Sequence, residues 1–508
     1  MKYDVLGLKT LETIQKTIDF IPEIKDVNDL YSKIDLEDPK VWKFIQEKNT
    51  EGVFQIESNM MKGLIDDIKP ENFNDLVAIN ALGRPGPLSA GLSHDYALCK
   101  NGKKAISYPI HGCDDILNDT FGCITYQEQL MLISKRIAGF SDGQSDSITR
   151  KVTAKKKTEM MPMMIRCHTY GKKNCEGPKG WEKDDHAPWY DPKGKYGEEI
   201  EGAINKGYDE KEVLQYFKTI EGFSSYAFNR SHAACYAYLA FLTAWLKFYY
   251  PVQFMAGTLS MKDDDEIPFY IQAAKKIGID IDVPNVNVSK NDFTPDAENH
   301  RILYGLGSVK GVGAASINDI IKNAPYESLE DALARIPKKA FNKRVAENLI
   351  KAGAFDFLGD NRIELLNKLH ELRKDRVKNE VTGKNEILQE DPSKWDENKC
   401  IEFEDETLGT HLTCHTWWEL LEENKGVTFI GKIKSVNEHR QRNGKLMCFV
   451  KMENVVSKDE FECCIFASNY GPLNTLFFHR EGHLLKVNGK KSDRGSFIIN
   501  DAQPYKAA

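Results

Sequence analysis

Residues 304–322 read YGLGSVKGVGAASINDIIK, and Lys310-Gly311-Val312-Gly313 at their centre decide the reading of the fold. Two glycines one residue apart let the backbone turn sharply and bring its N–H groups against an anion. Ala314–Lys322 then supplies a helix that opens at that turn. A hairpin of this kind between two short helices grips one DNA phosphate without reading sequence. The same residues also suit a plain turn that opens a helix. A second basic group, Lys338-Lys339 and Lys343-Arg344, follows close behind.

Towards the C-terminus the period of the sequence changes. Val427–Val436, Met447–Val455, Glu460–Phe466, His483–Lys490 and Ser496–Asn500 are short β-rich runs, several of them separated by turn signals such as Asn443-Gly444 and Asp493-Arg494-Gly495. Five such strands predict a small closed β-barrel, with an OB-fold as the leading candidate. Between the hairpin and the barrel, residues 362–410 are highly charged and read as a helix followed by a linker. Towards the N-terminus, residues 21–270 carry helical periods broken at Arg84–Pro87 and Pro178–Gly197. Residues 1–20 begin strand-like (Tyr3, Val5, Leu6) and turn helical (Leu11, Ile14, Ile18).

The chain has 508 residues, enough for several domains, with 41% hydrophobic and 29% charged residues, which excludes wholesale disorder. Its apolar stretches, such as Ala237–Trp245, are too short to span a bilayer. Eleven cysteines without a regular framework suit a reducing compartment. The net charge of −7 excludes a uniformly basic nucleic-acid binder but leaves room for local basic tracks.

Four further groups carry possible chemistry. Lys2 and Asp4, two apart on a strand, point to one face, where a carboxylate can hold Mg²⁺ and a lysine can meet a phosphate; a solvated strand-end pair is the plainer alternative. Lys135–Lys157 holds seven Lys/Arg against two acids, with Arg150, Lys151, Lys155, Lys156 and Lys157 crowded together. That density suits a triphosphate or a backbone phosphate track, and equally a solvated basic helix face. Ser224–Pro251 reads as a buried helix preceded by polar Asn229, Arg230, Ser231 and His232. There Asn229 and His232 suit a hydrogen-bonding cluster beside a nucleotide, while the aromatics read as core. Cys167, His168, Cys175 and His186 are candidate zinc ligands without a paired knuckle spacing.

Taken in order, the segments KYDVLGLKTL (2–11), GVFQIESNMMKGLI (52–65), LGRPGPLSAG (82–91), GCITYQEQLM (122–131), DSITRKVTAKKK (146–157), YAFNRSHAACYA (226–237), WLKFYYPVQFMA (245–256), YGLGSVKGVG (304–313) and LIKAGAFD (349–356) resemble the bacterial DNA polymerase III alpha subunits, the C-family replicative polymerases. The resemblance implies a multidomain α+β chain. Residues 1–20 would be the C-terminal end of the palm, 21–270 mostly helical fingers, 271–361 the helix-hairpin-helix region, 362–410 a charged linker and 411–508 the OB-fold.

The resemblance also implies roles for particular residues. Asp4 falls where the family has the third of its metal-binding palm aspartates, so it is the expected catalytic and Mg²⁺-binding residue. Lys2, Arg84, Arg150, Lys155, Lys156, Asn229 and His232 are expected to bind the deoxynucleoside triphosphate. Lys310, Gly311, Val312, Gly313, Lys343 and Arg344 are expected on the DNA backbone. The expected partners are primer–template DNA, a deoxynucleoside triphosphate, the sliding clamp and other replisome proteins, with no membrane. The expected location is the cytoplasm around the nucleoid, or the host cytoplasm for a phage-encoded chain. Because the match begins just before that third aspartate, the resemblance implies a separate N-terminal half, from a split or intein- or intron-interrupted gene. The alternative from a different class is a non-catalytic DNA-binding remnant or modulator of the replication machinery.

Overall fold

The computed structural model describes residues 7–146, 201–223, 228–374, 376–378, 385–387, 389–413, 426–441, 445–454, 460–477, 482–491 and 497–505. The chain divides into two units, Met1–Met261 and Lys262–Ala508.

The first unit is helical throughout its described part. Its elements include α1 (Lys9–Asp19), α2 (Asn59–Ile68), α3 (Phe73–Leu82), α4 (Gln127–Ala138), α5 (Arg230–Tyr249) and α6 (Pro251–Leu259). The core is built on α5, whose second half from Ala240 to Lys247 is buried without a break. A helix that is apolar all round has to be surrounded, and α3 and α6 both pack on it. Asn229 caps its start, accepting from the His232 amide at 2.8 Å. Pro251 at the first position of α6 ends it, because proline has no N–H to continue the ladder.

One charge lies inside this core. Lys247 is fully buried, and its ammonium donates to the Glu51 carbonyl at 2.7 Å and lies 3.8 Å from the Glu51 carboxylate. The same carboxylate accepts from Lys62 at 2.6 Å. Burial pushes the Glu51 carboxyl up, but the Lys62 hydrogen bond and the Lys247 charge more than offset it, so it titrates below an ordinary glutamate.

In the second unit a helix at Ile267–Lys276 precedes a three-stranded sheet of order β1-β3-β2, from Asp280–Asp282 (β1), Thr294–Asp296 (β2) and Arg301–Leu303 (β3). The hairpin then leads into α7 (Ala314–Asn323), followed by α8 (Lys343–Lys351), α9 (Arg362–Arg373) and α10 (Glu397–Leu408). Between α9 and α10 lies a short antiparallel pair, Arg376–Lys378 (β4) and Asn385–Ile387 (β5).

Residues 362–410 thus depart from the expected charged linker. Helices α9 and α10 both pack on α8. The reason is that part of the charge points inward and is neutralised there. Arg362 is 2% exposed and Glu404 is 0% exposed, with Nη1 of Arg362 2.9 Å from the Glu404 carboxylate. Asp356 takes the other edge of the guanidinium at 2.6 and 3.0 Å. Glu404 also accepts the Leu412 and Thr413 amides at 2.5 and 3.1 Å.

The expected barrel is present and closed, in the order β10-β8-β7-β6-β9, from Gly426–Arg440 (β6), Leu446–Asn454 (β7), Glu460–Ile465 (β8), Leu484–Lys491 (β9) and Phe497–Pro504 (β10). Neighbours are antiparallel except β10 and β8, which run parallel and close the ring. Phe429, Phe461 and Phe497 meet inside it with ring centroids 5.4 to 6.1 Å apart. Helix α11 (Ala467–Phe477), which strand periodicity did not signal, adds Leu473 and Phe477 to the same core.

Two stability predictions follow from the buried charges. Glu404→Ala leaves Arg362 without its buried partner and should cost about 3–5 kcal/mol, seen as a lower urea midpoint for the second unit's transition. Glu51 has a depressed pKa when folded, so its stabilisation is complete above the ordinary glutamate range and is lost as pH falls through the lowered value. The melting-temperature gap between wild type and Glu51→Gln should therefore be widest near neutrality and narrow on acidification.

Candidate nucleic-acid interface

In the second unit the chain reaches the hairpin through a 3₁₀ turn at Leu306–Ser308. Val309 and Val312 are buried and anchor it from below. Gly311 forms the bend with φ +81°, and an added Cβ there would lie 2.7 Å from Nδ2 of Asn348 and 2.9 Å from Nε of Arg344. Only glycine meets both demands. Gly313 differs, since an added Cβ would meet nothing within 4 Å. It precedes α7 and offers no side-chain cap; its carbonyl accepts the Ser316 and Ile317 amides, and the Ala314 and Ala315 amides stand at the open start of the helix.

The hairpin is fastened from behind by two helices. Asn348 of α8 donates to the Lys310 carbonyl at 2.5 Å, and the Lys310 amide donates to the Thr407 carbonyl of α10 at 2.8 Å. Nζ of Lys310 lies 3.4 Å from the Asp405 carbonyl, at the C-terminal end of α10, where a cation is favoured. Lys310, expected on the DNA backbone, is exposed. Arg344 stands beside Gly311 and is exposed, so sequence-distant parts of the expected DNA-contact set do meet. Lys343 is 3.8 Å from Glu347, one turn along α8.

In the first unit, Phe228 brings three of the expected nucleotide residues together. Arg84 donates to the Ala81 carbonyl at 3.1 and 3.0 Å, and its guanidinium carbon lies 3.9 Å from the centroid of the Phe228 ring. Burial draws its pKa down. The Phe228 carbonyl accepts from the Gln127 amide at 2.9 Å, which aligns residues 228–230 beside the start of α4. Asn229 Nδ2 and the Arg230 amide both donate to Glu128, at 2.9 and 3.0 Å. His232 is exposed and lies edge-on to Phe228 at 5.2 Å. It also lies 4.3 Å from Tyr236, whose ring is in turn 5.2 Å from Phe54.

This ridge of rings is the feature that reading the aromatics as core missed. Phe228 and Tyr236 are only half-buried. The signal was present for His232 and Tyr236, four apart on α5 and so on one face, whereas Phe228 precedes the Asn229 cap and is set by its bridge to Tyr126. Nothing in the sequence placed Phe54 beside them.

Asp4, Lys2, Arg150, Lys155 and Lys156 lie outside the described residues, as do Cys167, His168, Cys175 and His186. Of the basic run that begins at Lys135, the described members are paired: Lys135 with Asp142 at 2.5 Å, and Arg136 with Asp115 at 2.8 Å. Among the described residues no group of three or more His, Cys, Asp or Glu is arranged to hold a metal ion. Also among them, no helix is long and apolar enough to cross a membrane.

The two hairpin glycines separate cleanly in a stability test. Gly311→Ala, forced into a left-handed conformation against Asn348 and Arg344, should lower stability by about 1–3 kcal/mol. Gly313→Ala, entering open space, should stay within about 0.5 kcal/mol of wild type in the same urea titration.

Comparison with known proteins agrees with this geometry. The bacterial DNA polymerase III alpha subunit finger domain matches residues 10–175, and a helix-hairpin-helix motif matches residues 278–365. The DNA polymerase III subunit alpha of Aquifex aeolicus (strain VF5) is 34% identical over 515 residues, covering 96% of this chain and 40% of that protein. Those of Campylobacter jejuni and Escherichia coli (strain K12) are 33% and 31% identical, covering 98% and 88% of this chain. The chain spans about two-fifths of the length of these relatives, 40%, 43% and 38% respectively. A crystal structure of the yeast mitochondrial single-stranded DNA binding protein Rim1 overlaps 17% of the chain at 17% identity and a TM-score of 0.15, too slight a likeness to build on. With finger-domain and helix-hairpin-helix matches in one collinear alignment across nearly all its length, the chain belongs to the bacterial DNA polymerase III alpha subunit family.

Proposed function

We propose that this chain is a working part of a replicative DNA polymerase, supplying the fingers, the duplex-gripping hairpin and the barrel. The substrates are primer–template DNA and a deoxynucleoside triphosphate. In the reaction the primer 3′-hydroxyl attacks the α-phosphate and releases pyrophosphate. The observation that carries this reading is the collinear match over 96% of the chain to a polymerase subunit, with a glycine-bent hairpin at 309–313 inside it.

The roles within that reading divide by chemistry. Bound Mg²⁺ supplies positive charge to the reacting phosphates, and Asp4 is the carboxylate of this chain suited to hold it, together with carboxylates of an N-terminal polymerase half. Lys2, Arg150, Lys155 and Lys156 offset triphosphate charge. Arg84, Asn229 and His232 line the nucleotide face around Phe228. Gly313 and the first amides of α7 meet a DNA phosphate, with Arg344 adding a cation beside Gly311. The barrel meets single-stranded template. Cytoplasmic, nucleoid-associated action follows from the same reading.

Two measurements test it. The purified chain should bind primer–template with an affinity that falls steeply with salt, as expected for phosphate contacts. Gly313→Ala, although folded like wild type, should weaken that binding without changing sequence preference. Absence of any primer–template binding at low salt would end the reading. Extension of the primer should require addition of an N-terminal half. Asp4→Asn in that mixture should nearly abolish single-turnover incorporation, whereas Lys2→Ala and Arg150→Ala should chiefly raise the nucleotide concentration needed. A chain that binds DNA but yields no extension even with that half is a DNA-binding modulator.

A further inference from the structure

The loop that joins the ring ridge at Phe54 holds a backbone conformation that no helix end or hairpin demands. Gln55 has φ +63°. Five other non-glycine residues among those described have positive φ: Lys48, Lys69, Phe121, His300 and Lys374. Lys69, Phe121 and Lys374 cap helices, Lys48 follows such a cap, and His300 closes the turn between β2 and β3. Gln55 is the third residue of the Val53–Ile56 turn, closed by the Ile56 amide on the Val53 carbonyl at 3.4 Å; positive φ there ordinarily calls for glycine or asparagine, and Gln55 is exposed.

The loop is held in this shape from several sides. The Thr50 hydroxyl donates to the Ile56 carbonyl at 2.7 Å, and the Gly52 amide donates to the Glu57 carboxylate at 2.7 Å. The Phe54 amide donates to the Thr243 hydroxyl of α5 at 3.1 Å. Glu51 is clamped between Lys62 and the buried Lys247. Gly52 packs so closely on α6 that a Cβ would lie 3.3 Å from both Phe254 and Thr258. Backbone held against its preference by so many ties is characteristic of functional sites. What this loop presents is a ring, Phe54, continuous with Tyr236 and His232, and next to it an exposed carboxamide.

We propose that Gln55 is a base-recognition residue. A nucleobase lies against the Phe54–Tyr236–His232 ridge, and the Gln55 carboxamide, with one acceptor oxygen and two donor hydrogens, bonds the base edge. Aromatic rings accept any base by its face, and a neutral amide matches the mixed donor and acceptor pattern of a base edge, whereas a phosphate calls for a cation. The inference rests on the polymerase reading, which brings DNA and nucleotide to this unit. The base belongs either to the template strand, to the primer end or to the incoming nucleotide, and the test separates these sources.

The decisive variant is Gln55→Gly. Glycine accepts φ +63° without strain, so the loop keeps its shape and only the carboxamide is lost. The melting temperature of the full chain should be unchanged or higher, while affinity falls about tenfold for the ligand that carries the base, primer–template for a template or primer base and deoxynucleoside triphosphate for an incoming one. In parallel, the wild-type chain is cross-linked by ultraviolet light to 5-iodouracil placed in separate samples in the template overhang, at the primer 3′ end, or in free 5-iodo-deoxyuridine triphosphate. Adducts on Phe54, Tyr236 or His232 are expected, and the sample that gives them identifies the source of the base. Gln55→Gly within about twofold of wild type for both primer–template and deoxynucleoside triphosphate, or adducts that map only elsewhere, overturns this inference and leaves the polymerase reading standing. Failure of the wild-type chain to bind primer–template at all overturns both.

Discussion

Glu404 lies out of reach of solvent between the Arg362 guanidinium and the amides of Leu412 and Thr413, and the helical part of the second unit is organised around that contact. Two such groups out of water are costly unless each finds partners. Arg362 finds Asp356, Glu404 and the Lys351 carbonyl, and that set joins the end of α8, the start of α9 and the middle of α10. Once α10 is fixed, its last carbonyls are in place to receive the Tyr304 hydroxyl and the Lys310 amide. The hairpin is therefore held by a helix that lies beyond the helix-hairpin-helix match at residues 278–365. Asn348 of α8, within that match, holds the hairpin from the other side.

The first unit uses buried charge in a related way. Lys247, inside the apolar half of α5, is satisfied by the carbonyl and carboxylate of Glu51, so the loop at 50–57 is pinned to the core helix. That pin and the Thr243 hydroxyl bring Phe54 against Tyr236 and extend the ring ridge that begins at Phe228. Both units thus present a candidate contact surface on a short irregular segment, and in both a buried lysine or arginine on the underlying helices fixes that segment. Loops carry function most readily when a rigid scaffold sets their shape.

Much of the architecture was legible in the residues. The run of Ala, Leu, Phe and Trp after His232 could only be a surrounded helix, and proline after Tyr250 could only end it. Alternating apolar residues between turn signals gave the barrel strands to within a few positions, because a half-buried strand must alternate. The glycine spacing at 311 and 313 located the hairpin. Helix α11 escaped notice because strand periodicity on both sides drew the reading past it.

By itself, then, the sequence determined the buried helix α5 and its end, the barrel strands and the position of the hairpin, since each follows from local period, caps and backbone freedom. Only the tertiary structure decided which charges are solvated and which are core. Nothing near Arg362 or Glu404 in the chain distinguishes them from the exposed charges around them, and the pairing bridges separate helices. The same holds for the candidate sites: Arg84 reaches Phe228, Phe54 reaches Tyr236, and Lys310 reaches the Asp405 carbonyl of α10. Contacts between residues far apart in sequence depend on how helices pack, and the spacing of residues along a chain carries no record of that packing.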